Sequence, residues 1–264
     1  MTLELSPVSI AAFCLGVMFA AAGLGMLLRR VLPDNHKDDK SVDAVLRAVG
    51  LVVTLTALVL GFFVNSAKGY YDGLSGSLRE LGADLGALDR TLERYGPAAM
   101  PLRAELRACV GSAVRIMWPG HPSELPTNSE TPRQCLEDMQ DGMHRLPASD
   151  EREQRLRDQS LQLAATFERQ SLLFGELTTS HMQTPLLAIM MAWLATIYLG
   201  FGLVWPRSGT ALVSLALSAS VCAGAILMIL ELYEPLSGLV SIDPAVIEVP
   251  LRAPGQVVAR PAGT

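Results

Sequence analysis

Polar and apolar positions are ordered along this chain on two length scales. On the coarse scale four apolar runs stand out, at about residues 10–28, 49–67, 185–204 and 211–232. Each approaches the roughly 20 residues that a helix needs to cross a hydrocarbon core. On the fine scale, the polar stretch after the second run carries Leu74, Leu78, Leu81, Leu85, Leu88, Leu92 and Tyr95. Steps of four and three are the seam of a coiled coil or helical bundle. No proline interrupts this stretch before Pro97. The second run and the seam therefore read as one helix that leaves the membrane and continues as a stalk.

The rest of the polar middle is also helical in pattern. Residues 97–118 place Leu102, Leu106, Val110, Val114 and Met117 on one face, with Arg103, Arg107 and Arg115 off it. The segment PGHPSELPTNSETP is a loop by composition. A short helix is predicted over 133–145. A long one is predicted over 151–180, capped by Ser149 or Asp150, with a loose stripe of Leu156, Leu163, Phe167, Phe174 and Leu177 that Ser160, Gln170 and Ser171 weaken. The stalk going up and this helix coming down make an antiparallel pair, with the shorter helices beside them. The fold class is all-α: an integral membrane protein with four transmembrane helices and a helical extramembrane bundle inserted between the second and third. The predicted divisions are 1–68 (first transmembrane pair), 69–184 (helical domain), 185–232 (second pair) and 233–264, a proline-broken surface tail. Two lines of small residues, Ala12-Gly16-Ala20 in the first run and Ala216-Ser220-Gly224 in the fourth, have the spacing of close helix packing. The second line could also border a narrow polar path, though packing is the commoner use of such a face.

Composition adds limits. Half the residues are hydrophobic but only 6% are aromatic, and the mean hydropathy is +0.33, which fits a membrane protein with a sizeable polar domain. A net charge of −5 argues against a nucleic-acid partner, which requires a basic face. The first run has Glu4 before it and Arg29 and Arg30 after it, the reverse of a cleaved signal peptide, so it reads as an uncleaved membrane helix. Arg29, Arg30, Lys37, Lys40 and Arg47 lie between the first two runs, and Arg207 lies between the last two. The basic bias of short loops places both links in the cytoplasm. Both termini and the large loop are then outside, which in a Gram-negative inner membrane means the periplasm.

Within the spans, the polar residues are the candidates for a pore or for helix pairing. These are Thr54 and Thr56 deep in the second run, Asn65, Ser66 and Lys68 at its outer end, and Glu231 at the end of the fourth. Lys68 is placed to pair with Glu231; equally, both fit interfacial anchors facing water. Trp205, beside Pro206 and Arg207, has the character of an interfacial anchor. Of the four cysteines, Cys14 and Cys222 lie in apolar runs and read as small hydrophobes. Cys109 and Cys135 lie in the polar middle and can bridge if that region faces an oxidising compartment. The four histidines, His36, His121, His144 and His181, are scattered without metal-ligand spacing. There is no phosphate loop, dinucleotide fingerprint, HExxH or nucleophile elbow in the sequence. No catalytic residue, metal ligand or cofactor is predicted, and the chain reads as a non-enzyme.

Several segments together carry a resemblance: the LRRVLP turn, GLVVTLTALVLGFFVNSAK followed by YYD, the stalk end LDRTLERYGP and the exit LELYEPLSGLVSI. Over about residues 28–251 the chain resembles the bestrophin-like domain-of-unknown-function proteins of bacteria and plants. Its Asp34-Asn35-His36 turn departs from the paired histidines common there. The resemblance implies kinship with anion channels at the level of fold, and carries over no catalytic or ligand-binding residue. Two functions follow as expectations. One is an oligomeric ion-conducting pore lined by the second helix. The other is a non-conducting membrane sensor or scaffold whose helical domain binds a partner protein. The lipid bilayer and further copies of the chain are the expected partners of the first, and a protein is the partner of the second.

Overall fold

A computed structural model describes residues 6–31, 39–121, 123, 125–128, 131–178, 184–204 and 209–251. Pro33, the 34–37 turn with His36, His181, Trp205, Arg207 and the chain beyond Leu251 lie outside these residues. Among the described residues all regular structure is helical: α1 (Pro7–Val31), α2 (Asp39–Tyr95), α3 (Met100–Met117), α4 (Pro132–His144), α5 (Glu151–Thr178), α6 (Thr184–Val204), α7 (Gly209–Leu232) and the single turn α8 (Ala245–Glu248). The predicted stalk is real as an element. α2 is one helix of 57 residues, with apolar span and leucine seam continuous through it. It stops at Gly96, whose φ of 108° is open to glycine, before Pro97. α1, α2, α6 and α7 are long and apolar enough to cross a membrane. By these helices the chain is a multi-pass membrane protein.

The chain forms two compact units, Met1–Tyr71 with His181–Glu234, and Asp72–Ser180 with Pro235–Thr264. In the first unit α1 packs on α6 and α7. The buried line of α1 is Ala11, Cys14, Met18, Ala22 and Gly25, and steps of three and four keep it on one face. Gly25 lies against the Leu199 carbonyl, and Gly202 against the Ala22 carbonyl. A methyl at either position would meet backbone, so glycine sets the closeness of α1 and α6. Arg29 Nη1 donates to Val204 O at 2.9 Å, satisfying a terminal carbonyl of α6 with a cation. Tyr198 on α6 donates to Ser218 Oγ on α7 at 3.1 Å. The packing face of α1 differs from the predicted one. Ala12, Gly16 and Ala20 are exposed, and nothing lies within 4 Å of a Cβ at Gly16. Ser220 and Gly224 of α7 are exposed too. Larger residues, Met18 on α1 and Ile226 on α7, fill this unit's interior instead, because they bring more contact area than a bare alanine line.

In the second unit the seam is buried within one chain. Leu74, Leu78, Leu81, Leu85, Leu88, Leu92 and Tyr95 are all at most 8% exposed. α5 packs on α4 and begins near the end of the stalk. At the apex Tyr95 Oη donates to Pro147 O, and Arg152 Nη2 donates to Arg94 O. α5 buries Leu156, Ser160, Ala164 and Phe174. Ser160 is tolerated there because its hydroxyl donates to Leu156 O at 2.8 Å. Asp150 Oδ1 accepts the Glu153 N–H and Glu153 Oε2 accepts the Ser149 N–H, each at 2.7 Å, so both predicted capping residues take part in opening the helix. α4 opens on a capping box of Thr131 and Gln134. α3 buries Leu102, Leu106, Val110 and Val114 of the predicted face, and Met117 is half-buried. Cys109 on α3 and Cys135 on α4 stand in disulfide-bonding position, with Cα atoms 5.9 Å apart.

The segment from Pro235 onward differs from the predicted surface tail. Over residues 235–251 it belongs to the second unit, with Ile242 and Ile247 each 4% exposed and Leu251 1%. Trp118 Nε1 donates to Ile242 O at 2.8 Å. The Val246 carbonyl and Pro250 sit over Gly82 and Gly86 of α2. Its prolines end helices, but its isoleucines and terminal leucine still gain by leaving water. That is why a proline-broken sequence here is a packed strap.

Candidate functional site: the exposed face of α2

The membrane half of α2 touches its own unit along a narrow line. Val49, Thr56, Phe63 and Ala67 are buried there, and Val49 lies against Gly200 of α6. Steps of seven and four hold that line on one side of the helix. Gly50, Thr54, Gly61, Asn65 and Lys68 follow steps of four, seven, four and three, and all are exposed. They form a second stripe, roughly 100–160° around the helix from the first, and nothing lies within 4 Å of a Cβ at Gly50 or Gly61. Leu51, Leu55 and Phe62 flank it, also exposed. The α2 span is the least covered of the four. Of its apolar window 11% is buried, against 28–33% in the others. Much of this helix awaits lipid or another molecule, and the uncovered side includes its small and polar one.

The predicted residues separate on this geometry. Thr54 and Thr56, two positions apart, point to nearly opposite sides. Thr54 is exposed and returns its hydroxyl to Gly50 O at 2.9 Å. Thr56 is 5% exposed, and its Oγ1 is buried without a hydrogen-bond partner. Thr56 therefore belongs to the packed line and is removed from the lining residues. Asn65 and Lys68 lie on the exposed stripe, and Ser66 is exposed beside it. Glu231 is 5% exposed in α7. Tyr70, midway along α2, meets Tyr233, just past the end of α7, their rings stacked at 5.3 Å. That contact brings the neighbourhoods of Lys68 and Glu231 together.

The second unit holds a polar cluster that the sequence pattern did not reveal. Arg103 donates to both oxygens of Asp89 at 2.9 Å, and Arg107 to both at 3.2 Å. Arg103 Nη1 also reaches Glu93 Oε1 at 3.1 Å. Asp89 is 3% exposed. The hydrogen-bonded Asp89 carboxylate raises the hold of Arg103 on its proton, against the opposing effect of burial. The signal was present as two matched pairs: acids at Asp89 and Glu93, bases at Arg103 and Arg107, each four apart on facing helices. The two acids and two arginines balance in charge, so the cluster reads as a structural clasp between α2 and α3. Among the described residues no group of three His, Cys, Asp or Glu side chains is placed to hold a metal ion.

No curated protein and no solved structure matches the chain. A family model, the bestrophin-like domain, matches residues 15–247. That match covers most of the first span, all of the other three, the stalk and most of the strap, and on it the chain belongs to the bestrophin-like family.

Proposed function

We propose that this protein is an ion-conducting homo-oligomer in which the exposed stripe of α2 borders a water-accessible path. The observation that carries the reading is the alignment of Gly50, Thr54, Gly61, Asn65 and Lys68 on the open side of the least covered span. Lipid gains nothing from an asparagine and a lysine on that side, whereas a polar path uses such groups to set which ions enter. The small residues leave room for copies to approach and for a lumen between them. In this reading Lys68 stands at the outer mouth and pairs with Glu231. The large helical unit and both termini face the periplasm of an inner membrane. No catalytic residue or cofactor is assigned.

Reconstitution into bilayers tests it. Wild-type protein is expected to carry ion current, and Lys68→Glu to shift the reversal potential toward cations in asymmetric salt. An unchanged reversal potential removes Lys68 from the path, and absence of current from the wild type removes the reading. One observation favours the second reading, a sensor or scaffold. Leu172 and Leu173 on α5 are 69% and 53% exposed, an apolar pair that a partner protein would cover.

A further inference from the structure

The Cys109–Cys135 pair sits at one end of a chain of contacts that ends on the C-terminal strap. Asn128 Nδ2 lies 3.1 Å from Cys135 Sγ and 3.9 Å from Cys109 Sγ. The same residue is locked to α3. Its backbone N–H donates to Ser112 Oγ at 2.8 Å, and its Oδ1 lies 2.8 Å from that hydroxyl. Leu125 and Pro126 close over Gly111, where a side chain would collide with the Pro126 carbonyl. Ser123 Oγ accepts the Leu125 N–H at 3.2 Å and donates to Glu248 Oε1 at 2.7 Å. Glu248 is a carboxylate only 1% exposed, in the middle of the strap that covers Gly82 and Gly86 of the stalk. A buried carboxylate depends on its hydrogen bonds, so the strap depends on this loop being in place.

The two sulfurs are not equivalent. Cys109 is part-exposed and Cys135 is fully buried. An incoming thiolate reaches Cys109 first, and departure of Cys135 leaves negative charge beside the Asn128 amide donor, which favours it as the leaving group.

We propose that Cys109–Cys135 is an exchangeable disulfide, opened by a dithiol reductant at Cys109, and that its opening releases the strap through Asn128, Ser123 and Glu248. A reductant thiolate attacks Cys109 Sγ. The sulfur–sulfur bond breaks, and its electron pair leaves on Cys135 Sγ, which takes up a proton. The second thiol of the reductant, as its thiolate, attacks the reductant sulfur of the mixed disulfide. Cys109 is expelled as a thiolate that takes up the second proton, and the reductant becomes a cyclic disulfide. Two electrons and two protons enter the protein. The loop then loses its tether between α3 and α4, and Ser123 its fixed position under Glu248.

The test uses the full chain in detergent. Alkylation without reductant is expected to leave Cys109 and Cys135 unlabelled; labelling of both as free thiols overturns the proposal. With glutathione as the thiol and an acid quench, peptide mass spectrometry is expected to find the adduct on Cys109 roughly tenfold over Cys135; equal or reversed labelling overturns it. After dithiothreitol, hydrogen exchange is expected to rise roughly tenfold in 125–128 and 242–251 while the leucine seam keeps its protection. An unchanged strap overturns the coupling, and so does equal loss across the seam, which would be unfolding of the whole unit. Ser123→Ala is expected to loosen 242–251 with the disulfide intact; a strap as protected as in the wild type contradicts the route through Glu248. None of these readings depends on ion conduction.

Discussion

At the scale of residues, environment rather than type decides what a side chain does. Thr54 and Thr56 are the same residue one step apart in alternation, yet one is exposed and the other buried. A helix turns by about 100° per residue, so two positions carry a side chain to almost the other side. The same distinction governs the acids of the clasp. Asp89 is enclosed with Arg103, whose side chain is 11% exposed, whereas the Glu93 side chain is 50% exposed. Asp89→Asn removes the buried carboxylate both arginines share, leaving only Glu93 to Arg103 and solvent to Arg107, whose side chain is 25% exposed, and is expected to cost about 3 kcal/mol. Glu93→Gln removes a half-solvated partner and is expected to cost about 0–1 kcal/mol. Thermal unfolding of the two variants, followed by circular dichroism, checks the contrast; equal losses would contradict it.

At the scale of elements, the seam of α2 was legible because a strict alternation of four and three leaves little else for leucines to do. Every predicted seam residue is buried. Replacing Leu81 and Leu88 together by Asp puts two carboxylates at positions at most 5% exposed, beyond the roughly 1.5–3 kcal/mol of burial lost with each leucine. Protease resistance of the second unit in the full chain is expected to disappear. If the unit stays resistant and only an oligomer dissociates, the seam joins copies instead. Other elements were less legible. The strap carries three prolines in 235–251, a composition that reads as loop, and its burial depends on glycines of α2 some 160 positions earlier. The small-residue lines of α1 and α7 have packing spacing, yet all of the first and, in the second, Ser220 and Gly224 are exposed, because spacing names a face without naming which neighbour meets it. The Asp89 clasp was missed for the same reason: each partner lies on its own helix, and only their juxtaposition makes a site.

At the scale of the whole molecule, the family and the four spans were readable from hydropathy and a few segments, because a bilayer imposes length and apolarity on whatever crosses it. The candidate stripe was only half readable. Its polar residues were visible as interruptions, but Thr56 had to be placed before the lining could be separated from the packed line. The central claim is that this stripe meets water between copies and not lipid. Thiol accessibility along α2 tests it most directly. With Cys14 and Cys222 replaced by alanine, single substitutions Thr54→Cys, Gly61→Cys and Asn65→Cys are compared with Val53→Cys and Leu55→Cys in membranes, using a charged, impermeant thiol reagent. Only a thiol in contact with water ionises and reacts readily. Modification at 54, 61 and 65 is expected to be roughly tenfold faster than at 53 and 55. Equal protection at all five positions would mean that the stripe faces lipid, and would contradict the claim.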